Sequence, residues 1–266
     1  MKLFFIGDIV GKPGRRALRA LLPAVIHRHD IDLVVANAEN AAAGFGVTRT
    51  VVEEIYASRV DVLTTGNHVW DKKEVMEFID EYETLLRPAN YPEGTPGRGT
   101  VLLSARNGCS AAVINLSGRV FMKPVDCPFR VAESEIRKLR NRTNVIIVDM
   151  HAEATSEKQA LGWFLDGEVS AVIGTHTHVQ TADEQILPKG TAYITDVGMT
   201  GPFDSVIGVE KEMVIERFLT YRPNKFDVAR GDVRLQGAVV DIDPETGRAR
   251  AIERLSLKCA EGQGIF

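Results

Sequence analysis

Five short apolar runs in this sequence each end in residues able to hold a metal ion or meet a phosphate. Leu3 to Ile6 is followed by Gly7-Asp8, Leu33 to Ala36 by Asn37-Ala38-Glu39-Asn40, and Val62 to Thr65 by Gly66-Asn67-His68. Val145 to Val148 leads into Asp149-Met150-His151, and Val169 to Ile173 into Gly174-Thr175-His176-Thr177-His178. The chain has six histidines, and His68, His151, His176 and His178 fall in these positions. His27 and His29 lie among arginines in a helical stretch and read as exposed side chains near a helix C-terminus. Four histidines joined by Asp8, Glu39, Asn40 and Asn67 offer imidazole and oxygen donors without thiolate, a set suited to Fe, Mn or Zn. These candidates exceed the four ligands of one structural ion. Two ions sharing a bridging carboxylate accommodate them, and a pair roughly 3.5–4 Å apart can clamp a phosphoryl group for in-line attack.

The elements that must position these residues alternate between strand and helix. After Leu3 to Ile6, residues Leu18, Leu21, Leu22, Val25 and Ile26 recur at helical spacing; after Leu33 to Ala36, Val51, Val52, Ile55 and Tyr56 share a helical face. Val62 to Thr64 precedes an expected helix over Lys72 to Asp80, with Asp71 as its N-cap. Such alternation makes βαβ units with a mostly parallel sheet, whose carboxyl strand ends are where sites assemble. Arg106-Asn107-Gly108 marks a hairpin turn between Gly99 and Gly118. Helices are expected over Glu133 to Arg140 and around Ser156 to Leu165, and a second hairpin joins Val239 to Ile242 with Ala249 to Leu255. No repeat or linker interrupts the chain, so one mixed α/β domain over 1–266 is expected.

The 266 residues carry 44% hydrophobic and 26% charged side chains, which excludes disordered, collagen-like and coiled-coil classes. A net charge of −4 gives no electrostatic case for gripping a nucleic-acid polymer and leaves room for a small anionic substrate. Cys109, Cys127 and Cys259, without CxxC spacing, fit a reducing compartment. The N-terminal apolar stretch, broken by Gly7 and Asp8, is too short for a signal peptide or membrane span. A cytoplasmic location is expected.

Gly7-Asp8, Gly66-Asn67-His68, Asp149-Met150-His151 and Gly174-Thr175-His176-Thr177-His178 resemble, in order and spacing, the motifs of calcineurin-like metallophosphoesterases. Phe5-Ile6-Gly7-Asp8-Ile9-Val10-Gly11, Asn37-Ala38-Glu39-Asn40 and Thr195-Asp196-Val197-Gly198-Met199-Thr200-Gly201 extend the likeness to the bacterial YmdB-like cyclic-nucleotide phosphodiesterases over nearly the whole chain. The resemblance implies a four-layer αββα sandwich of two mixed sheets flanked by helices. It implies that Asp8, Glu39, Asn40 and His178 hold one metal, and that Glu39, Asn67, His151 and His176 hold the other, with Glu39 bridging. His68 would face the phosphate rather than bind metal. Val10 stands where the wider superfamily has a histidine and Glu39 where it has an aspartate, and the resemblance implies Asn40 as the replacement for the lost ligand. The more oxygen-rich first site tilts metal choice toward Fe or Mn, with Zn as an alternative. A homo-oligomer is also implied.

The expected reaction is attack of a metal-bridging hydroxide on the phosphorus of a cyclic nucleotide of the 2′,3′-cAMP type, with His68 as general acid. Alternatives are a phosphomonoesterase or nucleotidase with the same centre, or a regulatory binding protein linked to RNA metabolism. Lys12, Arg15 and Arg16 either meet phosphate or form a solvated helix start, and Asp149 either orients a ligand imidazole or merely ends a strand. Thr175 and Thr177 are expected to point into the sheet or bond locally. Thr195 to Gly201 lines the pocket or makes a simple turn. Phe121 and Trp70 are expected in the apolar core rather than against a nucleobase.

Overall fold

Alternation along the strands decides the layering. Leu3 and Phe5, Leu33 and Val35, and Val145 and Ile147 point into one buried cluster. Their neighbours Phe4, Ile6, Val34 and Ala36 point into a second cluster, and Ile146 and Val148 into a third. A strand buried on both faces needs a layer on each side, and the chain supplies a sheet on one and helices on the other. The computed structural model describes residues 1–223 and 225–260. The single domain expected over 1–266 takes in residues 224 and 261–266, which lie outside the described residues.

Strands are numbered in chain order. The first sheet contains β1 (Lys2–Ile6), β2 (Asp8–Ile9), β3 (Leu33–Asn37), β4 (Val62–Thr64), β11 (Met199–Pro202), β12 (Val233–Ile242) and β13 (Ala249–Lys258). Strands β1, β3 and β4 run parallel, β12 lies antiparallel to β1 and to β13, and β11 joins β12 to β2. The second sheet has the order β5 (Thr100–Ser104), β6 (Ser110–Ser117), β7 (Val145–His151), β8 (Ala171–Thr175), β10 (Ala192–Ile194) and β9 (Gln185–Ile186). Its central pairs are parallel and its outer pairs antiparallel. The two sheets pack face to face through the first cluster. Helices α1 (Gly11–His29) and α2 (Arg49–Ala57) cover the first sheet through Leu18, Leu22, Val52 and Ile55. Helices α4 (Pro128–Leu139) and α5 (Thr155–Phe164) cover the second through Ile136, Leu139 and Leu161. The result is the expected αββα arrangement, with α6 (Lys211–Thr220) lying apart over the mouth of the site.

The expected helix over Lys72 to Asp80 shrinks to one α-turn, α3 (Val75–Phe78), and a 3₁₀ turn at Ile79–Glu81. The Asp71 carboxylate is bonded to the His68 ring at 2.8 Å instead of capping backbone N–H groups. The following amides of Val75, Met76 and Glu77 close three-residue turns. Among the described residues no helix is long and apolar enough to cross a membrane.

Candidate metal centre

Asp8 opens β2, and its amide donates to the Gly198 carbonyl at 3.1 Å. Gly7 and Gly198 meet so closely that a Cβ on Gly7 would lie 2.1 Å from that carbonyl oxygen. The Thr195 to Gly201 segment therefore braces Asp8 from behind instead of lining the pocket. The Asp8 carboxylate is fully buried. Its Oδ2 accepts the His176 backbone N–H at 3.1 Å, whereas Oδ1 has no hydrogen-bond partner and lies 3.8 Å from His178 Nε2.

Glu39 and Asn40 follow β3, and Asn67 and His68 follow β4. Glu39 Oε2 accepts the His68 backbone N–H at 3.1 Å, and its Oε1 lies 3.0 Å from His151 Nε2. Asn67 Oδ1 and His176 Nδ1 approach the same His151 nitrogen at 3.2 and 3.0 Å. Asn40 Nδ2 is 3.1 Å from His178 Nε2 and 3.3 Å from Glu39 Oε1. Asp8, Glu39, Asn40, Asn67, His151, His176 and His178 are thus brought together from both sheets. Donor atoms of Glu39, His151 and His176 all lie within 4.8 Å of one another.

Each imidazole is oriented from its outer side. Thr175 gives its hydroxyl proton to Asp149 Oδ1 at 2.7 Å and stands 2.9 Å from His151 Nδ1, so its oxygen accepts Nδ1–H. Asn37 holds the other Asp149 oxygen at 3.2 Å. Glu153 Oε2 lies 3.1 Å from His176 Nε2. His178 Nδ1 donates to the Ile207 carbonyl at 2.9 Å. His176 and His178 then turn a lone pair inward, and His151 does so once its Nε2 proton leaves, the arrangement by which proteins fix metal-binding histidines. Asp149 orients His151 through Thr175, one of the two options left by its sequence position.

The electrostatics show a centre short of positive charge. Burial would lower the His151 pKa, but the charge and hydrogen bond of Glu39, with Asp8 and Asp149 behind, lift it to about 9. Burial favours a neutral Glu39, and the His151 charge overrides this and brings it down to about 2. His176, buried and beside His151, is lowered to about 3. Burial lifts Asp149 to about 6 against the pull of His151. The proton on His151 does a cation's work, and an ion binding there must displace it. The orphaned Asp8 oxygen and the thiolate-free donors fit divalent cations that take oxygen and imidazole.

His68 lines the cavity at this centre, with Nδ1 bonded to Asp71. Arg15 pairs with Glu54 at 2.6 Å and donates to the Ala41 carbonyl, while Lys12 and Arg16 line a separate cavity. Of the three, Lys12 is exposed, whereas Arg15 and Arg16 are partly buried, and none of them lines the cavity at the metal centre. Trp70 is half-buried against the core, but Phe121 is 90% exposed, which overturns its expected core role. Phe121 occupies a left-handed position (φ +61°) in the loop after β6 and is turned outward there. Cys109, Cys127 and Cys259 are all free thiols.

Sequence reading missed Glu153 and the buried pair beneath the His176–His178 loop. The period-two spacing of Asp149, His151 and Glu153 was the available signal for Glu153. Thr177 donates through its amide (3.0 Å) and hydroxyl (2.7 Å) to Asp196 Oδ2, which Lys158 Nζ meets at 2.8 Å. That anchor holds a loop in which both His176 (φ +100°) and His178 (φ +65°) have left-handed backbone, a conformation that side chains other than glycine rarely adopt.

Comparison with known proteins agrees with this architecture. A family model described as "YmdB-like protein" matches residues 4–255. A Bacillus subtilis (strain 168) protein named 2′,3′-cyclic-nucleotide 2′-phosphodiesterase is 52% identical over 255 residues, covering 96% of each chain. A crystal structure of a hypothetical protein from Thermus thermophilus superposes with a TM-score of 0.91 at 44% identity, over 97% of this chain and 99% of that one. A Mycoplasma pneumoniae structure titled a novel phosphatase gives a TM-score of 0.91 at 34% identity, over 97% and 93%. The chain belongs to the YmdB-like family.

Proposed function

We propose that this chain is a two-metal phosphodiesterase that opens 2′,3′-cyclic nucleotides. As a member of its family it is a hydrolase of phosphoric esters, and the name of the Bacillus subtilis relative supports the cyclic diester as substrate. The observation that carries the reading is the buried Asp8 Oδ1 without a partner, facing inward-turned imidazoles from the other sheet. Asp8, Glu39, Asn40 and His178 would hold one ion and Glu39, Asn67, His151 and His176 the other, with Glu39 common to both. Oxygen and imidazole donors favour Fe or Mn.

When bound, the ions supply Lewis-acid polarisation of the phosphoryl group and a nucleophile at neutral pH. The protein's own groups do the rest. Thr175, Glu153 and the Ile207 carbonyl keep the three rings turned inward. Asp71 accepts from His68 Nδ1 and leaves Nε2 facing the cavity. Protonated His68 then donates from Nε2 to the departing ribose oxygen, a contribution of roughly 10²–10⁴ in rate.

The test is hydrolysis of 2′,3′-cyclic AMP beside 3′,5′-cyclic AMP and a phosphomonoester by Mn²⁺- or Fe²⁺-loaded protein, with chelator and Asp8→Ala controls. Selective, chelator-sensitive turnover of the 2′,3′ isomer is expected. Turnover of the monoester alone would favour the phosphatase reading suggested by the name of the Mycoplasma pneumoniae protein. Metal binding without turnover of any substrate would refute the enzymatic assignment to these esters.

A further inference from the structure

The cavity at the metal centre continues well beyond the space a phosphate needs. Its volume is about 620 Å³, within the range of pockets that enclose a whole small-molecule ligand. Its lining joins Glu39, Asn40, His68, His176 and His178 to an apolar wall that includes Phe45, Ile207, Val214 and Phe218. Phe45 stands edge-on to His68 with ring centroids 5.0 Å apart, so the wall begins directly beside that ring.

Ile207 ties this wall to the centre. Val206 and Val209 exchange backbone hydrogen bonds, leaving Ile207 (φ +47°) and Gly208 (φ +98°) as the two corner residues of a tight turn. Two successive positive φ values favour Asn or Gly, and a β-branched residue at the first corner is an outlier. Such strain persists where a function requires it. Here the corner turns the Ile207 carbonyl onto His178 Nδ1 at 2.9 Å, and its side chain contributes to the cavity. On α6, Phe218 is 84% exposed, an aromatic face left open at the cavity mouth.

We infer that this apolar lobe is a stacking subsite for the nucleobase of the substrate, built from Phe45, Ile207 and Phe218. The inference rests on the phosphodiesterase reading and adds what the enzyme grips beside the phosphate. Arg217, the charged group that α6 contributes to the cavity lining, is already stacked on Phe226 at 5.0 Å. The subsite therefore grips the flat face of a base, with Asp227 and Tyr221 the other polar side chains on the lining beyond the metal centre. Specificity falls on the phosphate isomer, with purines preferred to pyrimidines through stacking strength alone.

The test uses the metal-loaded full chain with Phe218→Ala and Ile207→Gly variants. Glycine suits the left-handed corner and retains the backbone carbonyl at His178, so the second variant isolates the side chain. One readout is the ratio of kcat/KM for adenosine 2′,3′-cyclic phosphate to that for base-free ribose 2,3-cyclic phosphate. The second, independent of turnover, is the ratio of equilibrium affinities for adenosine 3′-monophosphate and ribose 3-phosphate. Phe218→Ala is expected to lower both ratios about tenfold, the loss of one base stack, and Ile207→Gly to lower both by a smaller factor, the loss of an apolar contact. Ratios equal to wild type in both variants would overturn the subsite while leaving the phosphodiesterase reading intact. If wild type opens neither cyclic phosphate, the activity reading fails and the affinity ratio alone decides the subsite. A fall in native mass on Phe218→Ala, with both ratios unchanged, would assign this face to a second copy of the chain and overturn the subsite.

Discussion

Replacing Lys158 by methionine removes the cation beside a buried carboxylate and keeps most of the side-chain volume. Lys158 is 1% exposed and Asp196 fully buried, with Nζ and Oδ2 2.8 Å apart. Breaking one side of a buried pair costs about 3–5 kcal/mol, because the remaining charge is left uncompensated. Asp196 keeps hydrogen bonds from the Thr177 amide, the Thr177 hydroxyl and, at 2.8 Å, the Gly198 amide. With those three donors the expected loss lies near the lower bound of that range, about 3 kcal/mol. At about 2–4 °C per kcal/mol for a chain of this size, the melting temperature falls by roughly 6–12 °C. Adding Asp196→Asn removes the stranded charge, so the double variant recovers part of that loss. Thermal melting of metal-free wild type, single and double variants measures both effects. Titration with Mn²⁺ then reports the loop, because Thr177 lies between two proposed ligands, and about 10–100-fold weaker binding is expected. A single variant that melts within about 2 °C of wild type, less than 1 kcal/mol of change, or a double variant no better than the single, would refute this account.

Gly66→Ala is expected to block the centre while the chain still folds. Its Cβ would stand 2.0 Å from His151 Cδ2 and 2.5 Å from Glu39 Oε2, an overpacking worth about 1–3 kcal/mol. Metal stoichiometry by elemental analysis should fall sharply, and full occupancy would contradict the assignment. Asp8→Asn should divide stability from binding: Oδ2 accepts the His176 amide but Oδ1 is buried without a hydrogen-bond partner, so neutralising the side chain stabilises the metal-free protein by about 1 kcal/mol and raises its melting point, while metal affinity drops. A lower metal-free melting point would show that Oδ1 is stabilised without an ion. Burial lifts Tyr56, Tyr91 and Tyr193 from 10.0 to about 12. The folded state thus favours neutral phenols; its advantage is complete below about pH 10 and lost as pH rises toward about 12. Phenolate absorbance and circular dichroism should change together across that window, and native-state ionisation of these tyrosines at the ordinary phenol pKa of about 10 would contradict the burial.

Legibility followed the range of the interactions. The continuous apolar runs Leu3 to Ile6 and Val145 to Val148 are local signals, so the strands and the polar residues at their ends could be read directly. Asn107-Gly108 marked the β5–β6 hairpin because Gly108 carries the turn's positive φ (+85°). The helix expected from Asp71 failed because the carboxylate is taken by His68, a contact invisible without the turn between them. Glu157 and Lys158 look like a solvated helix face. Both are buried, Glu157 accepting the amides of Arg119 and Val120, and Lys158 meeting Asp196, 38 positions away. The same distance effect hid Ile207, whose carbonyl matters only because His178 arrives beside it.

The parentage of the inward-facing donors has a mechanical consequence. Asp8, Glu39, Asn40 and Asn67 come from the first sheet's rim and His151, His176 and His178 from the second's. Ions held between them would act as a removable rivet across the seam of the two halves, closing long stretches of chain at one point. Resistance to proteolytic nicking would then depend on the supply of metal, since binding to the folded form alone draws the population away from open states. In a metal-starved cell, catalysis and lifetime of the protein would decline together.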